Sequence, residues 1–184
     1  MRAVLLEVPE AMLEERSRLG LDGHDEMWDG VLHMVPPPGG PHQEVGAELF
    51  PVFAPLAKRR GLAPRYETGL FRTAQDYRVP DQLYCRPDQL SDRGTEGAEL
   101  VVEIRSAGDD TYDKIDWYAA LGVRELLVVH PADRCVELLR AVHGRLLPVT
   151  ADAEGAVRSD VLAVRMCTTG KRLRLAWDGG ETEI

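Results

Sequence analysis

A chain of 184 residues that is 44% hydrophobic and 29% charged reads as one soluble globular domain, large enough for a well-filled core. No apolar run approaches the roughly 20 residues that span a bilayer, and the start, interrupted by Glu7 and Pro9, lacks the apolar stretch of a signal peptide. With 31 acidic against 22 basic residues the net charge is −9, which argues against holding nucleic acid by charge alone, because phosphate binding depends on Lys and Arg.

Residues 8–19 carry apolar and charged side chains at helical spacing, with Gly20 as the stop. The stretch "MWDGVLHMV" predicts a strand or hairpin turning at Asp29-Gly30. After the break "PPPGGP", a helix is expected from about His42 to Arg60, with Val45, Leu49, Val52, Phe53 and Leu56 on one side. Pro51 and Pro55 predict a kink or a split inside it. Basic residues gather at Lys58-Arg59-Arg60 with Arg65, and again at Lys171-Arg172 with Arg174; both groups read most simply as solvated surface charge.

The middle is strand-like: "YETGLFR", "YRVPDQLYC" and "ELVVEIRS", the last nearly continuous in apolar residues, as in a strand buried on both faces. A helix from about Thr111 to Leu121 ends at Gly122. The strands "RELLVVH" and "CVELLRAV" follow around a Pro131-Ala132-Asp133 turn. Short β segments, "GRLLPVT", "DVLAVRM" and "RLRLAW", lead to an end expected to fray. Without repeat or linker, the pattern predicts one α/β domain over residues 1–184 with a mixed sheet. Cys85, Cys135 and Cys167, far apart and odd in number, read as reduced thiols of a cytoplasmic protein.

The chemistry-bearing residues sit on the middle strands. Asp81 follows Pro80 at the end or edge of a strand, where its carboxylate is available to a metal or turns back on its own backbone. Glu103 lies inside "LVVEI", and a buried charge must coordinate a metal or pair, here with Arg105 or Arg78. Magnesium takes one or two carboxylates plus waters and phosphate oxygens, a requirement that Asp81 and Glu103 on adjacent strands meet. Lys114 shares a helix face with Asp110 and Tyr118; it is either a weak helix ion pair or an ammonium near the metal. Arg105 falls on the side of Glu103 by period-two geometry and shares that electrostatic role, though it cannot act as a base. His42 opens a helix as a substrate contact or an ordinary polar residue, and Glu26 is a third carboxylate or a solvated acid. His24, His33, His130 and His143 lack the spacing of a zinc site.

Taken in order, "EMWDGVLHMVPPPGGPHQEV", "YRVPDQ", "LVVEIRSAGDDTYDK" and "YAALGVRELLVV" resemble the Uma-type family of restriction endonucleases within the PD-(D/E)xK nuclease superfamily. The resemblance runs from about Glu26 to Val129, with a weaker match in "RSDVLAVRM". It implies an α/β, restriction-endonuclease-like fold: a central mixed β-sheet flanked by helices, a core over about residues 26–130, additional C-terminal β segments, and commonly a homodimer. By position, Asp81 matches the Asp of the PD element and Glu103 the acid of the second motif. Lys114 matches the family's helix lysine, which replaces the one usually found two residues after the acid, where this chain has Arg105. Glu26 matches a glutamate before the D-G turn and His42 the histidine opening the next helix. The segment between Ser106 and Asp110 is shorter than the commoner "SPST" pattern.

The expected activity is therefore hydrolysis of phosphodiester bonds in DNA by a magnesium- or manganese-dependent endonuclease. Asp81 and Glu103 hold the metal with Glu26 joining through water, Lys114 orients the nucleophile, and His42 and Arg105 contact substrate. The alternative is a catalytically weak or inactive nuclease-fold protein that acts as a binding or regulatory module, suggested by the charge of −9 and the missing strand lysine. A small-molecule metal hydrolase in a β-rich cup fits less well, because the strand–helix–strand pattern at 99–130 argues for a layered sheet.

Overall fold

The computed structural model describes residues 3–6, 8–20, 22–106 and 108–184. At its centre lies a mixed sheet, six-stranded among the described residues: β1 (Ala63–Tyr66), β2 (Gln82–Cys85), β3 (Leu100–Ile104), β4 (Glu125–Val129), β5 (Val136–Val142) and β6 (Arg145–Pro148), side by side in that order. Neighbours are antiparallel except β3 and β4, which run parallel. A parallel pair requires a crossover. Here a 3-10 turn, Thr111–Lys114, runs into the short helix Ile115–Ala120 and supplies it. Every residue of β3 and β4 is buried, as their apolar runs predict.

Strand alternation decides what each face of the sheet packs against. Leu100, Val102 and Ile104 of β3, with Leu127 and Val129 of β4, join Val45, Leu49, Phe53 and Leu56 of the long helix Gly40–Arg59. Val101, Leu126 and Val128 point the other way, into a second core with Leu83, Cys85, Trp117 and Tyr118. Each such Leu or Phe contributes about 1.5–3 kcal/mol by leaving water. Glu103, two residues from Val101, projects on the side of Trp117 and Tyr118.

The long helix runs unbroken through Pro51 and Pro55, so the expected split does not occur. Both prolines are exposed, and the carbonyls they leave without a helical N–H, those of Ala47 and Pro51, belong to exposed residues open to solvent.

A second sheet, of seven short strands among the described residues, runs in the order Ala3–Leu5, Val31–Met34, Glu26–Trp28, Asp76–Arg78, Leu70–Thr73, Gly94–Thr95, Leu90–Ser91. Its first hairpin turns at Asp29 and Gly30, both at positive φ (48° and 85°), the conformation that an Asp-Gly pair adopts in a two-residue turn. The single run "YRVPDQLYC" splits between sheets: Asp76–Arg78 belongs to the second and β2 to the first, with Val79-Pro80-Asp81 crossing between them.

A third sheet of four antiparallel strands, Val157–Ser159, Val164–Thr169, Arg172–Trp177 and Gly180–Glu183, buries Val157, Val164, Met166, Leu173 and Leu175 in the core of the long helix. The chain end is not frayed as expected: Ile184 and Leu173 exchange backbone hydrogen bonds of 2.8 and 3.0 Å. Buried Leu173 and Leu175 anchor the strand that the last residues pair with. Cys85, Cys135 and Cys167 are free thiols. Among the described residues, no helix is long and apolar enough to cross a membrane.

Candidate active site

A cleft of about 450 Å³ opens between the Val35–Gly39 segment, the start of the long helix and the loop after β3. Asp81, Glu103, Glu26, Lys114 and His42 all line it. The β2–β3 ladder ends at the Val102–Gln82 pair, so the next position brings Glu103 opposite Asp81. A side chain continues the ladder there: the Ile104 N–H donates to Asp81 Oδ2 at 2.6 Å.

Pro41 in the first turn pre-sets the helical backbone, and His42 follows it into the cleft. Its Nε2 lies 2.9 Å from Asp81 Oδ1 and its Nδ1 3.3 Å from Ser106 Oγ. Burial works against an imidazolium here, yet the hydrogen bond and charge of Asp81, with Glu103 and Glu67 beyond, raise His42 above its ordinary value.

Glu103 is 5% exposed. Its Oε1 accepts from the Tyr118 hydroxyl and from Lys114 Nζ, the latter at 3.3 Å. The partner of this buried charge is thus Lys114, rather than Arg105 or Arg78. Burial pushes the carboxyl up, Lys114 pulls it down, and Asp81 and Glu26 push it up again, leaving it at about 7.

Glu26 is 2% exposed and bonded on both oxygens. Oε1 accepts from Lys114 Nζ at 2.7 Å and from the Val79 N–H at 2.9 Å, while Oε2 accepts from Trp28 Nε1 at 2.8 Å. The carboxylate expected to join the metal through water therefore already serves three donors. Lys114 sits between two acids: burial opposes its charge, but Glu103 and Glu26 outweigh that and raise its pKa. At neutral pH it is a charged donor, not a base.

Arg105 is not brought into the cleft. Its guanidinium lies 4.8 Å over the Tyr112 ring, with Nε 4.0 Å from Asp109. The strand ends at Ile104, so period-two alternation no longer governs the next side chain. In the short loop beyond, Asp109 accepts from the Ser106 and Thr111 N–H groups at 2.5 and 3.1 Å. Tyr118 was legible only as a neighbour of Lys114 by helical spacing, with no role attached. Trp28 and Ser106 carried no signal beyond their turns.

The donor chemistry fits a hard divalent cation. Glu26, Glu67, Asp81, Glu103, Asp109 and Asp110 line the cleft, against Lys114, His24 and His42. Among the described residues, no group of three or more His, Cys, Asp or Glu is gathered as a metal-binding cluster. The Asp81–Glu103 pair remains, an all-oxygen set of the size that magnesium completes with water and phosphate oxygens.

Residues 13–170 match the model of the Uma2 family, described as "Putative restriction endonuclease". A solved structure described as a "putative nuclease" from Anabaena variabilis is similar in fold, with a TM-score of 0.61 at 16% identity over 76% of this chain and 83% of that one. No curated protein matches. The α/β domain with a mixed sheet expected from the residues, and the restriction-endonuclease-like architecture that the resemblance implies, are what is observed.

Proposed function

The chain belongs to the Uma2 family of restriction-endonuclease-like proteins, and from that premise we propose that it is a magnesium- or manganese-dependent endonuclease hydrolysing phosphodiester bonds in DNA. The observation that carries this reading is that Asp81, bonded to the Ile104 N–H at the end of β3, and Glu103 line one cleft, with Lys114 Nζ 3.3 Å from Glu103. Asp81 and Glu103 would hold the cation, which when bound lowers the pKa of water and polarises the scissile phosphate.

The chain's own groups do the rest. Glu26 fixes Lys114, whose ammonium orients the attacking water and offsets the charge that develops on the phosphoryl oxygens. The water oxygen joins phosphorus as it releases a proton to solvent, the P–O ester bond breaks, and the leaving oxygen takes a proton from solvent. His42, held by Asp81 beside the start of a 20-residue helix, contacts a neighbouring phosphate, where the helix's positive end adds to its charge.

The test is cleavage of supercoiled, linear and single-stranded DNA with magnesium or manganese by the wild type, Glu103→Ala and Lys114→Ala. Either substitution is expected to lower the rate about 10²–10³-fold, the scale of losing one preorganised electrostatic group. Equal residual activity in all three proteins overturns the assignment. Calorimetry that finds no manganese binding dependent on Asp81 and Glu103 would instead favour the binding or regulatory module.

A further inference from the structure

Behind the cleft lies a buried stack that the proposed chemistry does not touch. The Arg78 guanidinium, 3% exposed, sits 4.3 Å from the Trp28 ring and 4.5 Å from the Trp117 ring. Its Nη1 donates to Met27 O at 2.8 Å and to Asp76 Oδ1 at 3.0 Å. The Trp28 ring also stacks on His33, with centroids 4.2 Å apart and planes within 12°. Each indole spends its N–H on a different acid: Trp117 Nε1 donates to Asp76 Oδ2 at 2.9 Å, and Trp28 Nε1 to Glu26 Oε2 at 2.8 Å.

The two bonds differ in what lies beyond them. Asp76 leads back into the stack through Arg78 and Arg72. Glu26 leads forward, because its other oxygen takes Lys114 Nζ at 2.7 Å. We propose that Trp28 is a positioning residue: clamped by Arg78 and His33, its indole N–H sets the Glu26 carboxylate in the orientation that places Lys114 over the Asp81–Glu103 pair. A carboxylate turns freely about its last bond unless both oxygens are held, and an ammonium on a four-carbon stem follows whichever acceptor is fixed. The three donors to Glu26 come from its own strand, from the Val79-Pro80-Asp81 crossing and from the turn after β3. Glu26 thereby ties Lys114 and the Val79 amide to one clamped ring.

This assignment rests on the nuclease reading for its catalytic meaning, but its test does not depend on activity. The chain has three lysines, Lys58, Lys114 and Lys171, of which Lys58 and Lys171 are exposed and serve as internal references. Trp28→Phe keeps an aromatic ring in the stack and removes the N–H aimed at Glu26; Trp117→Phe makes the matching change toward Asp76, so the loss of ring area is common to both. Acetylation by acetic anhydride, followed by mass spectrometry, reads the freedom of each lysine in the whole protein. Trp28→Phe should raise Lys114 labelling about tenfold against the two references, the equivalent of one hydrogen bond to a charged group. Trp117→Phe should leave it unchanged while lowering Tm.

In the DNA cleavage assay Trp28→Phe should lower kcat by about the same factor with KM held, again the scale of one supporting hydrogen bond. Equal Lys114 labelling in the wild type and both variants overturns the proposal, as does an equal rise in both variants, which would mark general loosening. A wild type that cuts no DNA refutes the nuclease reading, and the labelling still decides the role of Trp28.

Discussion

Asp76 shows how much of this molecule depends on single buried carboxylates. At 4% exposure it accepts from Trp117 Nε1, Arg78 Nη1 and Arg72 Nη1. Burial alone would raise its carboxyl, but the hydrogen bonds from Trp117 and Arg78, with the Arg78 charge, hold it below the ordinary value. A carboxylate depressed in the folded state stabilises the protein above its unfolded pKa and ceases to do so as pH falls through the folded one. Asp76→Asn should therefore cost about 3–5 kcal/mol at neutral pH, because Arg78 is left buried without a counter-charge. Urea unfolding across the acid range checks both halves: the variant should be weaker at neutral pH, and its stability should fall less on acidification. None of this was visible in the sequence, where Asp76 is one acid among many with no role assigned. The groups that bond to it lie up to 47 residues away.

The elements were more legible than the way they assemble. Alternation in "LVVEI" predicts which β3 residues share a face, and the structure sorts Leu100, Val102 and Ile104 from Val101 accordingly. The same periodicity fails to reveal that "YRVPDQLYC" serves two sheets. Val79 and Pro80 interrupt backbone pairing without interrupting the apolar pattern. It also fails for Arg105, one residue past the last paired position. The polar part of the C-terminal sheet's attachment was equally hidden, since it runs through Glu125 on an otherwise apolar strand. Glu125 is 1% exposed and accepts from Arg140 Nε, Ser159 Oγ and the N–H groups of Asp160 and Val161 at 2.6–3.2 Å. Glu125→Ala strands those donors and should cost about 3 kcal/mol or more. Limited trypsin digestion should then cut at Arg158, on the strand that Glu125 holds, well before the wild type is cut.

For the whole molecule, the net charge of −9 and the crowd of carboxylates in the cleft belong together. On the proposed reading these acids take a cation, and binding to the folded state alone would stabilise that state. Magnesium or manganese at about a hundred times its Kd should add about 2.7 kcal/mol, seen as a rise in Tm that a chelator reverses and Asp81→Ala abolishes. That Asp81, Glu103, Lys114, His42 and Glu26 line one cleft was foreshadowed by their recognisable order along the chain. The cleft's wiring was not, since Trp28, Val79 and Lys114 converge on Glu26 from segments up to 88 residues apart.

One hydrogen bond also gives the site its own spectroscopic voice. The Ile104 amide, at the end of β3, donates to the Asp81 carboxylate instead of a strand carbonyl. Whatever changes the charge on Asp81 must change the shielding of that proton and its exchange with solvent. A single backbone resonance thus reports occupancy of the cleft, with no substrate, label or added chromophore.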